Sequence, residues 1–204
     1  MLSIAIAALF GYALGSIATG AIVSRRAGTD IRQHGSGSTG GTNITRALGW
    51  PAGLAVIAAD AAKGYLAVLL VSVIGPDPAG IGNEGLQLVA GLAAIVGHIW
   101  PAFAQFRGGK GVATSAGVLL ALAPAAFIAG IAVFAIVLTT KRTVSLASLM
   151  AELSIPIALS ALRWTEMRPV SVGVFIYAIV AAALIAFAHR ENIARLRAGT
   201  EPQL

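Results

Sequence analysis

The stretch Phe106-Arg107-Gly108-Gly109-Lys110-Gly111-Val112-Ala113-Thr114 carries the densest chemistry in the chain. Three glycines surround one lysine, with an arginine just ahead of them. Glycines let backbone N–H groups approach an anion closely, and the two cations supply countercharge. One long apolar run ends near Gln105 and another starts at Val112. An anion held here would lie at a membrane surface. That points to chemistry on a phosphorylated lipid precursor, or to anion transport. The loop is not a Walker A loop. Lys110 is followed by Gly111 instead of Ser or Thr, and the position of the required earlier glycine is Ala104.

A second glycine-rich segment runs from Asp30 to Arg46, with four glycines between Gly35 and Gly41. Its composition alone fits a flexible loop equally well. A flexible loop, however, has no need of Asn43 and Arg46 spaced three apart at the start of the next helix. Hydroxyls such as Ser36 and Thr42, unpaired N–H groups and an arginine at a helix N-terminus make an anion site. A third segment, His189 to Arg197, follows the last apolar run. Cations there are ordinary topology, but His189 and Asn192 share a face if the helix continues.

Other polar residues lie inside apolar runs. Asp60 and Lys63 are spaced to pair, which lowers the cost of burying them; they read as a structural ion pair, with a direct site role as the alternative. His98, ahead of Trp100-Pro101, reads as a hydrogen-bonded histidine near a helix end or kink. Ser145 and Ser148 read as helix-capping residues, or as substrate contacts. Glu152 needs a partner that the sequence does not identify. Familiar catalytic apparatus is missing. The chain has no cysteine, and its histidines lack metal-ligand spacing, so no metal and no cofactor are expected. The residues five after His34, His98 and His189 are Thr39, Phe103 and Ala194, so no His-x4-Asp arrangement exists. An enzyme built this way acts on an intrinsically activated substrate and mainly holds charge and geometry.

The elements that position these loops are membrane helices. Of 204 residues, 57% are hydrophobic and 11% charged, against about 25% charged in soluble domains. The net charge of +6 sits in short loops between apolar spans, which fits membrane topology and not nucleic acid. Spans are expected at Leu2–Ser24, Pro51–Ile74, Leu86–Gln105, Val144–Leu162 and Val170–Ala188. Arg25 and Arg26 follow the first span and no basic region precedes it, so it reads as a retained helix. The run Val112–Thr140 is too long for one span. If the chain turns at Ala123-Pro124, the loop cations divide eleven (25, 26, 32, 46, 107, 110, 141, 142, 190, 195, 197) against two (163, 168). Without that turn they divide eight against five. The positive-inside rule therefore favours an all-α protein of seven transmembrane helices, N-terminus outside and C-terminus cytoplasmic. Val112–Leu122 is short for a span under this reading.

Taken in order, the motifs resemble a known family. They are Gly15-Ser16-Ile17-Ala18-Thr19-Gly20, the Gly35–Arg46 loop, His98-Ile99-Trp100-Pro101-Ala102-Phe103 with Arg107–Thr114, Ser145-Leu146-Ala147-Ser148 and His189-Arg190-Glu191-Asn192-Ile193. As a set they resemble the bacterial acyl-phosphate:glycerol-3-phosphate acyltransferases, almost end to end. The first loop of that family usually reads Gly-Ser-Gly-Asn-x-Gly-Ala-Thr-Asn. Here Ser38 replaces the asparagine and Gly41 the alanine. Ala18, Trp100 and Arg107 stand where proline, phenylalanine and lysine are common.

The resemblance implies one acyltransferase domain over residues 1–204, in the bacterial cytoplasmic (inner) membrane, with its site on the cytoplasmic face. It implies transfer of an acyl group from acyl phosphate to glycerol 3-phosphate. The products are 1-acylglycerol 3-phosphate (lysophosphatidic acid) and phosphate, in the first step of phospholipid synthesis. An acyl phosphate is a mixed anhydride with a good leaving group, so no covalent enzyme intermediate is expected. On that reading Ser36, Thr42, Gly108, Gly109 and Gly111 hold the acyl phosphate, with Asn43 beside them. Arg46, Lys110, Ser145, His189 and Asn192 hold glycerol 3-phosphate and orient its hydroxyl. Lys110, His189, Ser36 and Arg46 are the expected catalytic set. The proton acceptor is either His189 or a phosphate oxygen of the substrate. The partners are the two substrates and the lipid bilayer, and the protein is expected to be a monomer. A transporter of a phosphorylated solute and a membrane phosphotransferase are the alternative classes. The first is weakened by the lack of an internal repeat, the second by the lack of an acidic metal-binding cluster.

Overall fold

The computed structural model describes residues 2–71, 82–164 and 170–203. Every regular element among them is helical. The chain forms two compact units, Met1–Ala121 and Leu122–Leu204.

The first unit is built on α1 (Leu2–Gly15), α4 (Trp50–Val71) and α5 (Gly82–Ile99), which pack against one another. A Cβ added at Gly11 or Gly15 of α1 would collide with the carbonyls of Ala90 and Ala94 on α5. Close backbone approach of this kind is how membrane helices associate where no water drives them together. Ala7, Val71, Leu86 and Ala90 close one end of the packing. The expected first span is broken: α1 stops at Gly15, and α2 (Thr19–Arg26) restarts after Ser16–Ala18. The break has a physical reason. It frees the Ile17 carbonyl to accept from Lys63 Nζ at 3.0 Å, and brings the Thr19 hydroxyl onto Asp60.

A 3-10 turn at Ile31–Gln33 and helix α3 (Gly41–Leu48) follow. Ile31 and Ile44 are buried against Val56 of α4, which pins both ends of the first glycine loop. Helix α4 carries Pro51 in its first turn, where a proline costs no hydrogen bond. It is described to Val71, so the expected end of that span at Ile74 lies outside the described residues. Past α5, the chain makes a 3-10 turn at Ala102–Ala104 and enters α6 (Val112–Leu122) after the second glycine loop. Helices α4 and α6 meet where Gly64 abuts the Thr114 carbonyl and Gly117 the Ala61 carbonyl.

The second unit holds α7 (Pro124–Lys141), α8 (Val144–Trp164), α9 (Val172–Ala188) and α10 (Arg190–Arg197). The expected break at Ala123-Pro124 is present: α6 ends at Leu122, Ala123 has non-helical dihedrals, and Pro124 opens α7. Arg142, in the left-handed region at φ 52°, closes α7 before α8. Helices α7 and α8 pack together with Gly130 against Ile155, and α8 packs on α9. Arg168 lies outside the described residues.

Among the described residues, five segments are long and apolar enough to cross a membrane: Leu2–Arg26, Trp50–Val71, Gly82–Ala104, Pro124–Lys141 and Val144–Arg163. The bent pair α9–α10 makes six if counted as one span. Helix α6 has 11 residues. At about 1.5 Å per residue it reaches roughly half of a hydrocarbon core about 30 Å thick. Leu9, Leu54, Ile128, Ile136, Leu153 and Ile157 expose large apolar side chains. Such faces are a liability in water and are at home in lipid.

Candidate active site

In the first unit the two glycine loops are joined. The Thr39 N–H donates to the Gly108 carbonyl at 3.3 Å, and Arg32 Nη1 donates to Gln105 Oε1 at 2.9 Å. The first loop is organised by Asn43, 3% exposed at the start of α3. Its Nδ2 donates to the carbonyls of Ser38 at 2.9 Å and His34 at 3.0 Å, while its Oδ1 accepts from the Ser36 N–H at 3.3 Å. Both ends of the amide are thus engaged with the loop backbone, so Asn43 contributes the loop's shape. Ser38 uses its Oγ to accept the Gly40 N–H at 3.2 Å. Ser36 is exposed on this loop. Thr42 and Arg46 are one turn apart on α3, half-buried and exposed respectively, and so share a face.

The second loop folds back onto the end of α5. Gly109 N–H donates to the His98 carbonyl at 3.0 Å, and Phe106 N–H to the Pro101 carbonyl at 2.9 Å. Gln105 and Phe106 both take positive φ (58° and 59°), which turns the chain tightly. Gly111, at φ 84°, lies over Ile95 and Ile99, a conformation and a spacing that favour glycine. Lys110 is half-buried and Arg107 exposed. Helix α6 starts at Val112, so its first-turn N–H groups lie directly beyond Lys110 and Gly111. The loop N–H groups of Ser36, Thr39, Gly40 and Gly109 are spent on holding the two loops in shape, and the first turn of α6 with Lys110 offers donors and charge suited to phosphate.

In the second unit the relevant residues gather at one end of α8 and the α9–α10 bend, which turns by 65°. His189 sits at that bend, 2% exposed, with Nδ1 2.8 Å from the Ile185 carbonyl. A carbonyl only accepts, so Nδ1 carries the proton, and in the neutral ring Nε2 is the accepting nitrogen. Asn192 and Ser145 are buried. Ser148 Oγ bonds the Val144 carbonyl at 2.9 Å, a helix-internal contact. Glu201, which sequence reasoning did not single out, ties this region together. It accepts from Asn192 Nδ2 at 2.6 Å and from Arg195 Nε at 2.7 Å. Burial raises the Glu201 pKa, but hydrogen bonds from Asn192 and Arg195, with the Arg195 charge, outweigh it and hold the carboxyl below its usual range.

The family model for glycerol-3-phosphate acyltransferase matches residues 5–199. The chain belongs to the glycerol-3-phosphate acyltransferase family. Among its relatives, the glycerol-3-phosphate acyltransferase of Geobacter sulfurreducens is 40% identical over 202 residues, covering 98% of this chain and 97% of the relative. That of Desulforudis audaxviator is 44% identical over 191 residues, covering 93% and 90%. The crystal structure of PlsY (YgiH), an integral membrane glycerol 3-phosphate acyltransferase, in its glycerol 3-phosphate form matches with a TM-score of 0.85. Identity to it is 38%, over 99% of this chain and 96% of that one. Its lysophosphatidic acid form matches with a TM-score of 0.83.

A helical chain rich in apolar spans agrees with the integral membrane acyltransferase structure that it matches. Within each unit, the expected residues fall into groups: Ser36, Thr42, Asn43, Arg46, Gly108, Gly109, Lys110 and Gly111 in the first, Ser145, His189 and Asn192 in the second. Two features escaped the sequence reading. Glu201 was hidden by its place in a polar tail, where a lone carboxylate has no periodicity to mark it. His98 was read as a helix-end histidine, whereas its carbonyl and ring also underlie the second glycine loop.

Proposed function

We propose that this acyltransferase moves an acyl group from acyl phosphate to glycerol 3-phosphate, giving 1-acylglycerol 3-phosphate and orthophosphate. The observation that carries the reading is the joining of two glycine loops, through Thr39 to Gly108, into one cradle around a lysine in a chain of this family. Ser36, Thr42, Gly108, Gly109 and Gly111 hold the donor phosphate, on a loop whose shape Asn43 sets. Arg46, Lys110, Ser145, His189 and Asn192 hold glycerol 3-phosphate and orient its 1-hydroxyl. The hydroxyl oxygen attacks the acyl carbonyl carbon. The bond from that carbon to the phosphate oxygen then breaks, and the phosphate leaves with the electron pair. The hydroxyl proton passes to His189 Nε2, a role supported by the Nδ1 contact to the Ile185 carbonyl. Lys110 stabilises the charge that gathers on the departing phosphate. No enzyme nucleophile takes part, because the mixed anhydride is already activated.

The chain acts as one acyltransferase domain, residues 1–204, a view supported by a family match that runs through both units. It works as a monomer in the bacterial inner membrane, with seven spans, the N-terminus outside and the site on the cytoplasmic face. The eleven-to-two division of loop cations supports that topology. The test is incubation of purified protein with acyl phosphate and labelled glycerol 3-phosphate, without metal or acyl-CoA. Labelled lysophosphatidic acid is the expected product. Acyl-CoA or acyl carrier protein in place of the acyl phosphate should give little or none, and comparable rates with them would overturn the choice of donor.

A further inference from the structure

Near the middle of the 22-residue α4 stands Asp60, 1% exposed. A carboxylate at such depth is costly and needs compensation. Lys63 Nζ, 2.9 Å from Oδ1, supplies the countercharge. A structural ion pair would need nothing more. Yet Asp60 also takes the Thr19 hydroxyl, and His98 Nδ1 lies 3.5 Å from the same oxygen. His98 is the last residue but one of α5, and the rest of it is spent on the second glycine loop. Its carbonyl accepts the Gly109 N–H at 3.0 Å. A Cβ at Gly108 would collide with that carbonyl, and a Cβ at Gly109 would collide with ring atom Nε2. Gly108 in turn accepts the Thr39 N–H, which passes the position on to the first glycine loop.

We infer that the buried Asp60–His98 pair positions the anion loop, setting where Gly108, Gly109 and Lys110 stand. The inference rests on reading that loop as a phosphate cradle. Asp60 backs the imidazole from α4 at 3.5 Å, the imidazole stands against Gly109, and the His98 carbonyl stands against Gly108. Lys63 pairs with Asp60 and, through the Ile17 carbonyl, ties the same cluster to the α1–α2 break. His98 and Asp60 are positioning residues and touch no substrate atom in this account.

The test uses the full chain in detergent and orthophosphate as the probe. Its affinity is measured by calorimetry, independently of turnover, beside the thermal midpoint and the acyl-transfer kinetics. Asp60→Asn and His98→Gln should weaken orthophosphate binding about tenfold or more with little change in midpoint, since loop misplacement of roughly 1 Å costs on the order of 10²-fold. Gly109→Ala should weaken it similarly by striking the ring. Gly109→Ala combined with His98→Ala should bind better than Gly109→Ala alone, because the obstruction is gone. That recovery is non-additive, as direct contact requires, and a merely structural role would not produce it. If Asp60→Asn does not fold, the Gly109 pair decides alone. Unchanged orthophosphate affinity in folded Asp60→Asn, or simple additivity in the double variant, overturns the inference. So does a wild-type chain that binds no orthophosphate. Coupled binding effects in a chain that fails to transfer acyl groups would instead uphold the positioning and remove the proposed reaction.

Discussion

Lys110 stands between Gly109 and Gly111 at the foot of α6, and the proposed reaction brings two phosphates to it. Lys110→Ala should lower turnover by roughly 10²–10³-fold, the usual cost of one electrostatic stabiliser, with the thermal midpoint unchanged. Lys110→Arg should recover little, since a planar guanidinium does not replace a compact ammonium between glycines. Arg163→Ala, at an exposed arginine near the end of α8, should be near neutral. Near-normal turnover in Lys110→Ala would place the site elsewhere. Glu201 gives a pH prediction. Its folded pKa lies below the ordinary value of 4.5. Its stabilisation is therefore complete above about pH 4.5 and lost as pH falls through the lower folded value. Thermal midpoints should stay flat from neutral pH down to that point and then fall, and Glu201→Gln should flatten the acid limb. An unchanged acid limb in Glu201→Gln contradicts the clamp. The two glycine loops were legible in the sequence because residue type and close spacing mark them. Glu201 and the Asp60–His98 contact were not, because each depends on which distant residue folding brings near.

Among the elements, α1 and α5 depend on small residues at their contact. Gly15→Leu would drive a side chain into the Ala94 carbonyl. Overpacking of this sort costs roughly 1–3 kcal/mol, and more where backbone must move. The thermal midpoint in detergent should drop, whereas Leu9→Val, on an exposed position of α1, should leave it in place. An unchanged midpoint in Gly15→Leu contradicts the packing described. Helix existence was legible from apolar run length, and the break at Ala123-Pro124 from length and charge together. The break after Gly15 was not, since Ser16-Ile17-Ala18 continues the apolar run. It arises from tertiary demand: Lys63 and Asp60 need the Ile17 carbonyl and the Thr19 hydroxyl more than α1 needs continuity. The 65° bend at His189 likewise had no signal in a run that reads as one helix followed by a basic tail.

For the whole molecule, reporter fusions should place Gly109, Lys141 and the C-terminus in the cytoplasm, and Ala123 and Arg163 outside. A cytoplasmic reporter at Arg163 contradicts the seven-span topology. Charge distribution is what this expectation rests on, because the hydrocarbon admits few cations and leaves them in loops. Substrate identity is less readable from physics alone: a phosphate cradle does not name the group attached to its phosphate, and here family membership narrows it. The central claim is direct transfer from an acyl phosphate that the protein only holds and orients. It is tested most directly by counting orthophosphate and lysophosphatidic acid in the same reaction, with and without glycerol 3-phosphate. Equal amounts of both are expected, formed only when both substrates are present. A burst of orthophosphate from acyl phosphate alone, equal to the amount of protein, would reveal an acyl-enzyme and contradict it.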